Sequence, residues 1–102
     1  MLDLGGVTVV DSYAFYGTAS LKKVVLPQTL TNINMQAFAY CSALETVICH
    51  NTTPPTLNTQ GFMSTNSSFI IYVPDASVTA YREASVWVNY ANRIKPLSEY
   101  TE

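Results

Sequence analysis

The sequence predicts an α/β fold built as a solenoid, in which short units stack and contribute parallel strands to one face. The first observation behind this prediction is an apolar pair, Ala14-Phe15, which recurs as Ala37-Phe38 and, with glycine for alanine, as Gly61-Phe62. The phenylalanines of these pairs are separated by 23 and then 24 residues (38 − 15 and 62 − 38). A period in this range indicates stacked units, each too small to bury its own apolar face.

The second observation is a short strand pattern that follows each pair at the same spacing. The three segments are Val24–Pro27, Val47–His50 and Ile71–Pro74, and all are rich in β-branched residues. The third observation is that the periodicity becomes helical after Pro74. A stacked array leaves its last apolar layer bare, so this change predicts a helical cap at the C-terminal end.

Each unit is predicted to contain a helical turn followed by a strand. The apolar spacing between Val10 and Leu21 fits a short helix, and that between Leu21 and Leu26 fits a parallel strand entered through a turn. The side chains expected to point inward are Val10, Ala14, Phe15, Leu21, Val24, Leu26 and Leu30 in one unit, and Ile33, Ala37, Phe38, Leu44, Val47, Cys49 and Leu57 in the next.

The chain is predicted to form a single domain of 102 residues. Prolines 54 and 55 remove backbone donors and favour extended conformation, so the stretch around them is expected to be a stiff loop. The predicted divisions are a partial repeat over 1–9, repeats over 10–32 and 33–57, a degenerate repeat over 58–74 and the cap over 75–102.

The cap is predicted to contain two short helices. Asp75 is expected to be the N-cap of the first, in which Val78–Ser85 carries a one-sided apolar stripe. The pattern continues over Trp87–Ile94 as a second helix, which Lys95-Pro96 ends. Trp87 is expected to be the largest buried side chain of the cap.

Composition excludes several classes of function. A net charge of −2 with scattered lysines supplies no basic field, so we expect no nucleic-acid partner. No apolar run approaches the ~18 residues of a membrane span, so no membrane insertion is expected. One histidine and seven scattered acids offer no paired acid and base, so we expect no catalytic residues and no enzyme.

The two cysteines, Cys41 and Cys49, are eight positions apart in one unit. Buried free thiols are the favoured interpretation, with a disulfide as the alternative. A zinc site would need two further ligands, and His50 is the only histidine, so no metal and no cofactor are expected.

Several spaced motifs agree in order with one known family. They are Asp11–Gly17 with Leu21 and Val24–Pro27, then Ile33, Ala37-Phe38, Cys41, Leu44 and Val47, then Ile71–Pro74 with Val78, Tyr81, Trp87 and Tyr90. In these positions the chain resembles the leucine-rich repeats of the BspA type, found in surface proteins of Bacteroides and related bacteria. The resemblance implies a right-handed leucine-rich-repeat solenoid, and we expect a carboxy-terminal fragment of such a protein.

The resemblance also implies a secreted or cell-surface location, with repeats that mediate adhesion or host contact. The leading hypothesis is therefore a non-enzymatic protein-interaction and adhesion module that binds a host or matrix protein or glycan. The alternative is a purely structural cap or spacer, with binding carried by upstream repeats. An isolated fragment should expose its N-terminal repeat edge around Leu4, Val7 and Val10, so self-association through that edge is expected as an artefact rather than as a biological function.

Candidate binding residues follow from the strand positions that do not face the core. In a repeat of this kind, counted from Leu21 as position one, the third and fifth positions should face the concave side. Exposed apolar residues on such a surface often mark contact sites. Strand propensity alone also explains β-branched residues at these positions. The predicted binding residues are Lys23, Val25, Thr46, Ile48, His50, Ile70 and Tyr72.

Overall fold

The computed structural model describes residues 1–101 and contains two parallel β-sheets and a few short helices. The larger sheet has the strand order β1-β3-β5-β7-β8, and every neighbouring pair is parallel. This confirms an α/β fold with parallel strands. The strands of this sheet are β1 (Leu2–Asp3), β3 (Lys23–Leu26), β5 (Thr46–Cys49), β7 (Ile70–Val73) and β8 (Ile94–Pro96).

The second sheet lies on another side of the core and has three two-residue strands. They are β2 (Val9–Val10), β4 (Asn32–Ile33) and β6 (Thr56–Leu57), paired in parallel in that order. The register places Val10 beside Ile33 and Ile33 beside Leu57. The sequence analysis placed strands on one face only, so this sheet is an addition to the predicted architecture.

The helix predicted between Val10 and Leu21 does not form; this fully described stretch is a series of turns. The N–H groups of Phe15 and Gly17 donate to the carbonyls of Ala37 and Ala39 in the next unit, each at 2.8 Å. The N–H groups of Ala14, Tyr16 and Thr18 instead close turns with carbonyls three residues earlier. An α-helix needs each N–H to bond four residues back, so this alternation between neighbours excludes it.

The repeated phenylalanines form one stack through the core, as predicted. The rings of Phe15 and Phe38 are 5.3 Å apart and those of Phe38 and Phe62 are 5.4 Å apart, both with an interplanar angle of 10°. Phe38 and Phe62 are buried, whereas Phe15 at the end of the stack is half-buried. The predicted inward position of Ala14 is wrong, because Ala14 is exposed while its equivalent Ala37 is buried.

The segment after β7 packs against the last unit. A 3-10 helix (Asp75–Ser77) leads into α1 (Val78–Glu83), and a second 3-10 segment (Trp87–Arg93) is kinked at Tyr90. Tyr81 and Trp87 are buried in the same core as the repeats, which confirms the predicted burial of Trp87.

Two details of the predicted cap are wrong. Asp75 does not cap the helix: its carboxylate accepts a hydrogen bond from the Ser98 N–H at 3.0 Å. The second helix does not reach Ile94 and end at Lys95-Pro96: the 3-10 segment ends at Arg93, and Ile94–Pro96 forms β8, in which Ile94 pairs with Ile71. Pro96 is compatible with this strand because β8 is the edge of the sheet and needs no donor on its free side.

The proline-containing loop is the anchor for this closing segment. Three side chains donate hydrogen bonds to its carbonyls: Ser77 to Thr52 at 2.7 Å, Tyr81 to Asn51 at 2.9 Å and Trp87 to Pro55 at 2.8 Å. The loop carbonyls therefore receive partners from the closing segment in place of another unit.

Candidate functional site

The predicted binding residues lie together on the outer face of the larger sheet, the side away from the core. Strand register places one residue of each strand in a line across the sheet, and we call this line the outer row. The first residues of β3, β5 and β7, which are Lys23, Thr46 and Ile70, form a second line beside it. The outer row runs Asp3, Val25, Ile48, Tyr72 and Lys95.

The two ends of the outer row are residues that the sequence analysis did not single out. Asp3 is an acid at one end and Lys95 a base at the other, so the row has an apolar middle between opposite charges. The strand containing Asp3 lies before the first complete repeat, and Lys95 was predicted to end the second cap helix rather than to lie in a strand. A repeat-based prediction could not align either residue with Val25 or Tyr72.

Ile48, at the centre of the row, departs from the prediction. Val25 and Tyr72 are half-buried, as residues on a sheet face often are, but Ile48 is only 5% exposed. Strand alternation alone should leave it accessible, like its neighbours on the same face. Another part of the chain must therefore cover the middle of the outer face.

We infer that Tyr100 is this covering group, from its contacts on either side of β5. The Lys23 ammonium donates a hydrogen bond to the Tyr100 hydroxyl at 2.7 Å and lies 4.9 Å from the centroid of its ring. The Tyr100 ring meets the Tyr72 ring at 5.0 Å in an edge-to-face arrangement. Lys23 is on β3 and Tyr72 is on β7, so a ring that contacts both lies across β5, where Ile48 is buried.

Tyr100 is carried by a short closing stretch that we call the strap (Leu97–Tyr100). Its first three residues form a 3-10 helix directly after β8. The Ser98 N–H is held by the Asp75 carboxylate, and the hydrogen bonds from Ser98 lower the pKa of Asp75 below its ordinary value. The strap therefore has anchors at both ends, one at Asp75 and one on the outer face.

His50 lies at the end of β5 and is exposed. Its backbone N–H donates to the Leu26 carbonyl at 3.0 Å, which continues the sheet ladder beyond the strand. Thr46, Val25 and Ile70 are half-buried on the same face. The structure thus brings the predicted strand residues to one surface, with His50 at the end of β5, and their role in binding stays a prediction.

The two cysteines are buried free thiols, as the favoured interpretation predicted. Burial raises the pKa of the Cys49 thiol to about 12. Burial also raises the pKa of the Cys41 thiol, which lies 3.2 Å from the Phe15 carbonyl oxygen. A thiol with a raised pKa is a poor nucleophile. Within residues 1–101, no three His, Cys, Asp or Glu side chains group as metal ligands would.

The sequence analysis missed an exposed aromatic surface on the turn side of the molecule. We call Tyr13, Tyr16 and Tyr40 the tyrosine patch; they are 52%, 49% and 44% exposed. Tyr16 lies 5.9 Å from Tyr13 and 5.2 Å from Tyr40, measured between ring centroids. Only Tyr16 is directly beside a core phenylalanine; Tyr13 and Tyr40 are each two positions away from one, so simple alternation does not predict that they face outward.

Tyr13 and Tyr40 also have unusual backbone geometry. Their φ angles are 63° and 61°, in the left-handed region that non-glycine residues seldom adopt. Gly17 occupies the position equivalent to Tyr40 in the preceding unit and has a φ of 69°. The turn geometry of the repeat imposes this conformation, so tyrosine is placed there against its backbone preference.

Comparison with known proteins agrees with the repeated structure. A family model described as "BspA type Leucine rich repeat region (6 copies)" matches residues 6–96, which is most of the chain. No curated protein matches the chain significantly. Within the described residues, none of the helices is long and apolar enough to cross a bilayer. The chain therefore belongs to the BspA-type leucine-rich repeats, in general non-enzymatic protein-interaction modules that are typically extracellular or surface-associated.

Proposed function

We propose that this chain is an adhesion module of a secreted or cell-surface protein, built as a right-handed solenoid. Its contact surface is the outer face of the larger sheet, around Lys23, Ile48 and Tyr72. The partner is a host or matrix protein or glycan that lies across the parallel strands. The module performs no chemistry and acts through surface contact.

The observation that carries this proposal is the contact of Tyr100 with the outer face. An aromatic side chain from elsewhere in the chain already uses the Lys23 ammonium as a donor and the Tyr72 ring as a packing partner. Aromatic side chains with polar tips and cationic side chains are common anchors at protein interfaces. The surface thus has the chemistry of a contact site rather than that of an inert sheet face.

The purely structural alternative rests on the same contact. If the strap is a permanent cover, the burial of Ile48 is ordinary core packing and the module is a cap or spacer. The two functions differ in what Tyr72 does, because a spacer needs Tyr72 only for local packing, whereas a contact surface needs it for affinity.

The test compares Tyr72→Ala with Tyr13→Ala, which removes a tyrosine from a different surface. Binding of each variant to immobilised matrix proteins and mucin glycans is measured by surface plasmon resonance, and folding by thermal melting. We expect Tyr72→Ala to leave the melting temperature nearly unchanged and to weaken binding at least tenfold, which corresponds to ~1.4 kcal/mol. If Tyr72→Ala binds as tightly as the unaltered chain, the outer face is not the contact surface.

The tyrosine patch is a second candidate surface, favoured by its exposure. Three neighbouring aromatic rings that reach solvent on a small domain resemble the exposed apolar patches that mark contact sites. The same experiment separates the two surfaces. If Tyr13→Ala weakens binding and Tyr72→Ala does not, the contact surface is the tyrosine patch.

Self-association through the N-terminal edge is expected as a property of the chain on its own rather than as part of the adhesion function. Leu4 and Val10, which were expected to be exposed there, are buried, so the strand edges are what this end offers for pairing. β1 and β2 are the first strands of their sheets, and each pairs with one neighbour only. Unpaired strand edges are templates for pairing with another chain. Val9 on β2 is exposed, so Val9→Lys should lower any concentration-dependent increase in sedimentation coefficient. An increase that is unaffected by Val9→Lys would place the association elsewhere.

A further inference from the structure

We propose that the outer face binds a tyrosine-bearing peptide segment of its partner, and that Tyr100 competes for this position from within the chain. This inference rests on the proposed contact function of the same face. It adds the chemistry of the ligand and predicts that the full chain binds this ligand more weakly than a chain without Tyr100.

The preference for tyrosine follows from the groups that meet Tyr100. The Lys23 ammonium can donate hydrogen bonds but cannot accept them, so its partner must offer an acceptor. A tyrosine hydroxyl accepts this bond, as Tyr100 does at 2.7 Å. Phenylalanine has no acceptor, and the indole N–H of tryptophan is a donor only. The hydroxyl therefore distinguishes tyrosine from the other large aromatic residues.

The ring itself is held by the remaining groups of the face. Lys23 lies 4.9 Å from the ring centroid, within the range of a cation–π contact. Tyr72 presents an edge-to-face partner at 5.0 Å, and Ile48 lies beneath on the strand between them. The face thus contains a donor, an aromatic wall and an apolar floor, which together match one tyrosyl side chain.

The strap can leave this position without opening the core. None of its residues is fully buried, and its 3-10 helix contains three residues only. Within residues 1–101, the strap is also held by the hydrogen bond from the Ser98 N–H to the Asp75 carboxylate, and this bond is exposed. A tethered group has an effective concentration in the millimolar range, so an external peptide must overcome this intramolecular competitor. Removal of Tyr100 should therefore raise the affinity of the outer face for a tyrosine-bearing peptide added in solution.

The experiment uses the acetylated and amidated peptide of residues 97–101, Leu-Ser-Glu-Tyr-Thr, as the probe. Its binding to the full chain, to the Tyr100→Ala variant and to a chain ending at Pro96 is followed by ¹⁵N NMR. We expect saturable shifts in β3, β5 and β7 with both altered chains, and at least tenfold weaker binding to the full chain. The same peptide with phenylalanine should bind severalfold more weakly, and that with alanine should produce no shifts.

Lys22 supplies a matched control for Lys23, because it is the preceding lysine and is exposed. In the Tyr100→Ala background, Lys23→Met should weaken tyrosine-peptide binding at least fivefold, while Lys22→Met should not change it. Absence of shifts with both altered chains overturns the proposal. Equal binding of the tyrosine and alanine peptides, or equal effects of the two lysine variants, overturns it as well.

The outcome is separable from that of the proposed function. If the Tyr100→Ala chain binds matrix proteins or mucin glycans through Tyr72 but ignores the peptide, the tyrosine ligand is wrong and the contact surface stands. If it binds the peptide but no matrix protein or glycan depends on Tyr72, the adhesion function is wrong and the tyrosine position stands.

Discussion

The hydrogen bonds between the closing segment and the proline-containing loop should differ in how much they stabilise the fold, according to whether the accepting carbonyl is buried. Tyr81 donates to the Asn51 carbonyl and Ser77 donates to the Thr52 carbonyl, at 2.9 and 2.7 Å. Asn51 is buried, whereas Thr52 is exposed. When the donor is removed, water can replace it at Thr52 but has no access to a buried carbonyl. The two substitutions should therefore differ in cost.

Tyr81→Phe keeps the buried ring and removes only the hydroxyl. A buried acceptor left without a partner costs about 1–3 kcal/mol, whereas a hydrogen bond that water can replace contributes about 0.5–1.5 kcal/mol. We expect Tyr81→Phe to lower the free energy of unfolding by about 2 kcal/mol, and Ser77→Ala by less than about 1 kcal/mol. A loss of this size is significant for a domain with a total stability of about 5–15 kcal/mol.

The measurement is urea unfolding of the chain and both variants, followed by circular dichroism and analysed by linear extrapolation. The slope is ~1–3 kcal/mol per molar urea for small proteins, so a loss of about 2 kcal/mol should lower the midpoint by about 0.7–2 M. Equal losses for the two variants, or a larger loss for Ser77→Ala, would refute the argument that burial of the acceptor sets the cost.

Three further predictions concern the core, the turns and the strap. Phe38→Ala should lower the free energy of unfolding by about 3–5 kcal/mol because its ring is buried between two others, and Phe15→Ala should lower it less because that ring is half-buried at the end of the stack. Thermal melting shows the order, and a larger loss for Phe15→Ala would contradict it. Gly17→Ala should cost ~1 kcal/mol from backbone strain alone, since φ is 69° and an added methyl group meets nothing within 4 Å; a neutral result would show that the turn can relax. Asp75→Ala should destabilise the chain at pH 7, whereas at a pH far below 3.8 it should have no effect. Hydrogen bonds from Ser98 lower the pKa of this carboxyl, so its stabilising contribution is lost as the pH falls through the lowered pKa. An equal difference in urea midpoint between the chain and the variant at both pH values would contradict this.

The repeat and its inward-facing positions could be predicted because they depend on local apolar spacing. Alternate side chains of a strand face opposite sides, so the positions of Val24, Leu26 and Val47 in the core follow from sequence. The phenylalanine period likewise predicts the stack, because equivalent positions of successive units lie next to one another. For the site, the same alternation correctly placed Lys23 and Tyr72 on one face of the sheet.

The turn side could not be predicted in this way. Apolar residues at helical spacing from Val10 to Leu21 resemble a helix, but the backbone N–H of Phe15 donates to Ala37 in the neighbouring unit. The choice between helix and turns therefore depends on a partner that the local sequence does not contain. The same reason explains β8, where Ile94–Pro96 becomes a strand because β7 offers an unpaired edge.

The sequence by itself determined the length of the unit, the core positions of the strands and the face on which candidate contact residues lie, because each follows from periodic spacing along the chain. Only the tertiary structure decided that Tyr100 lies on that face, 77 positions from the lysine that it contacts. Such a contact depends on where β8 directs the chain after the last unit. No periodic pattern specifies that direction, because the strap occurs once and has no equivalent in the repeats.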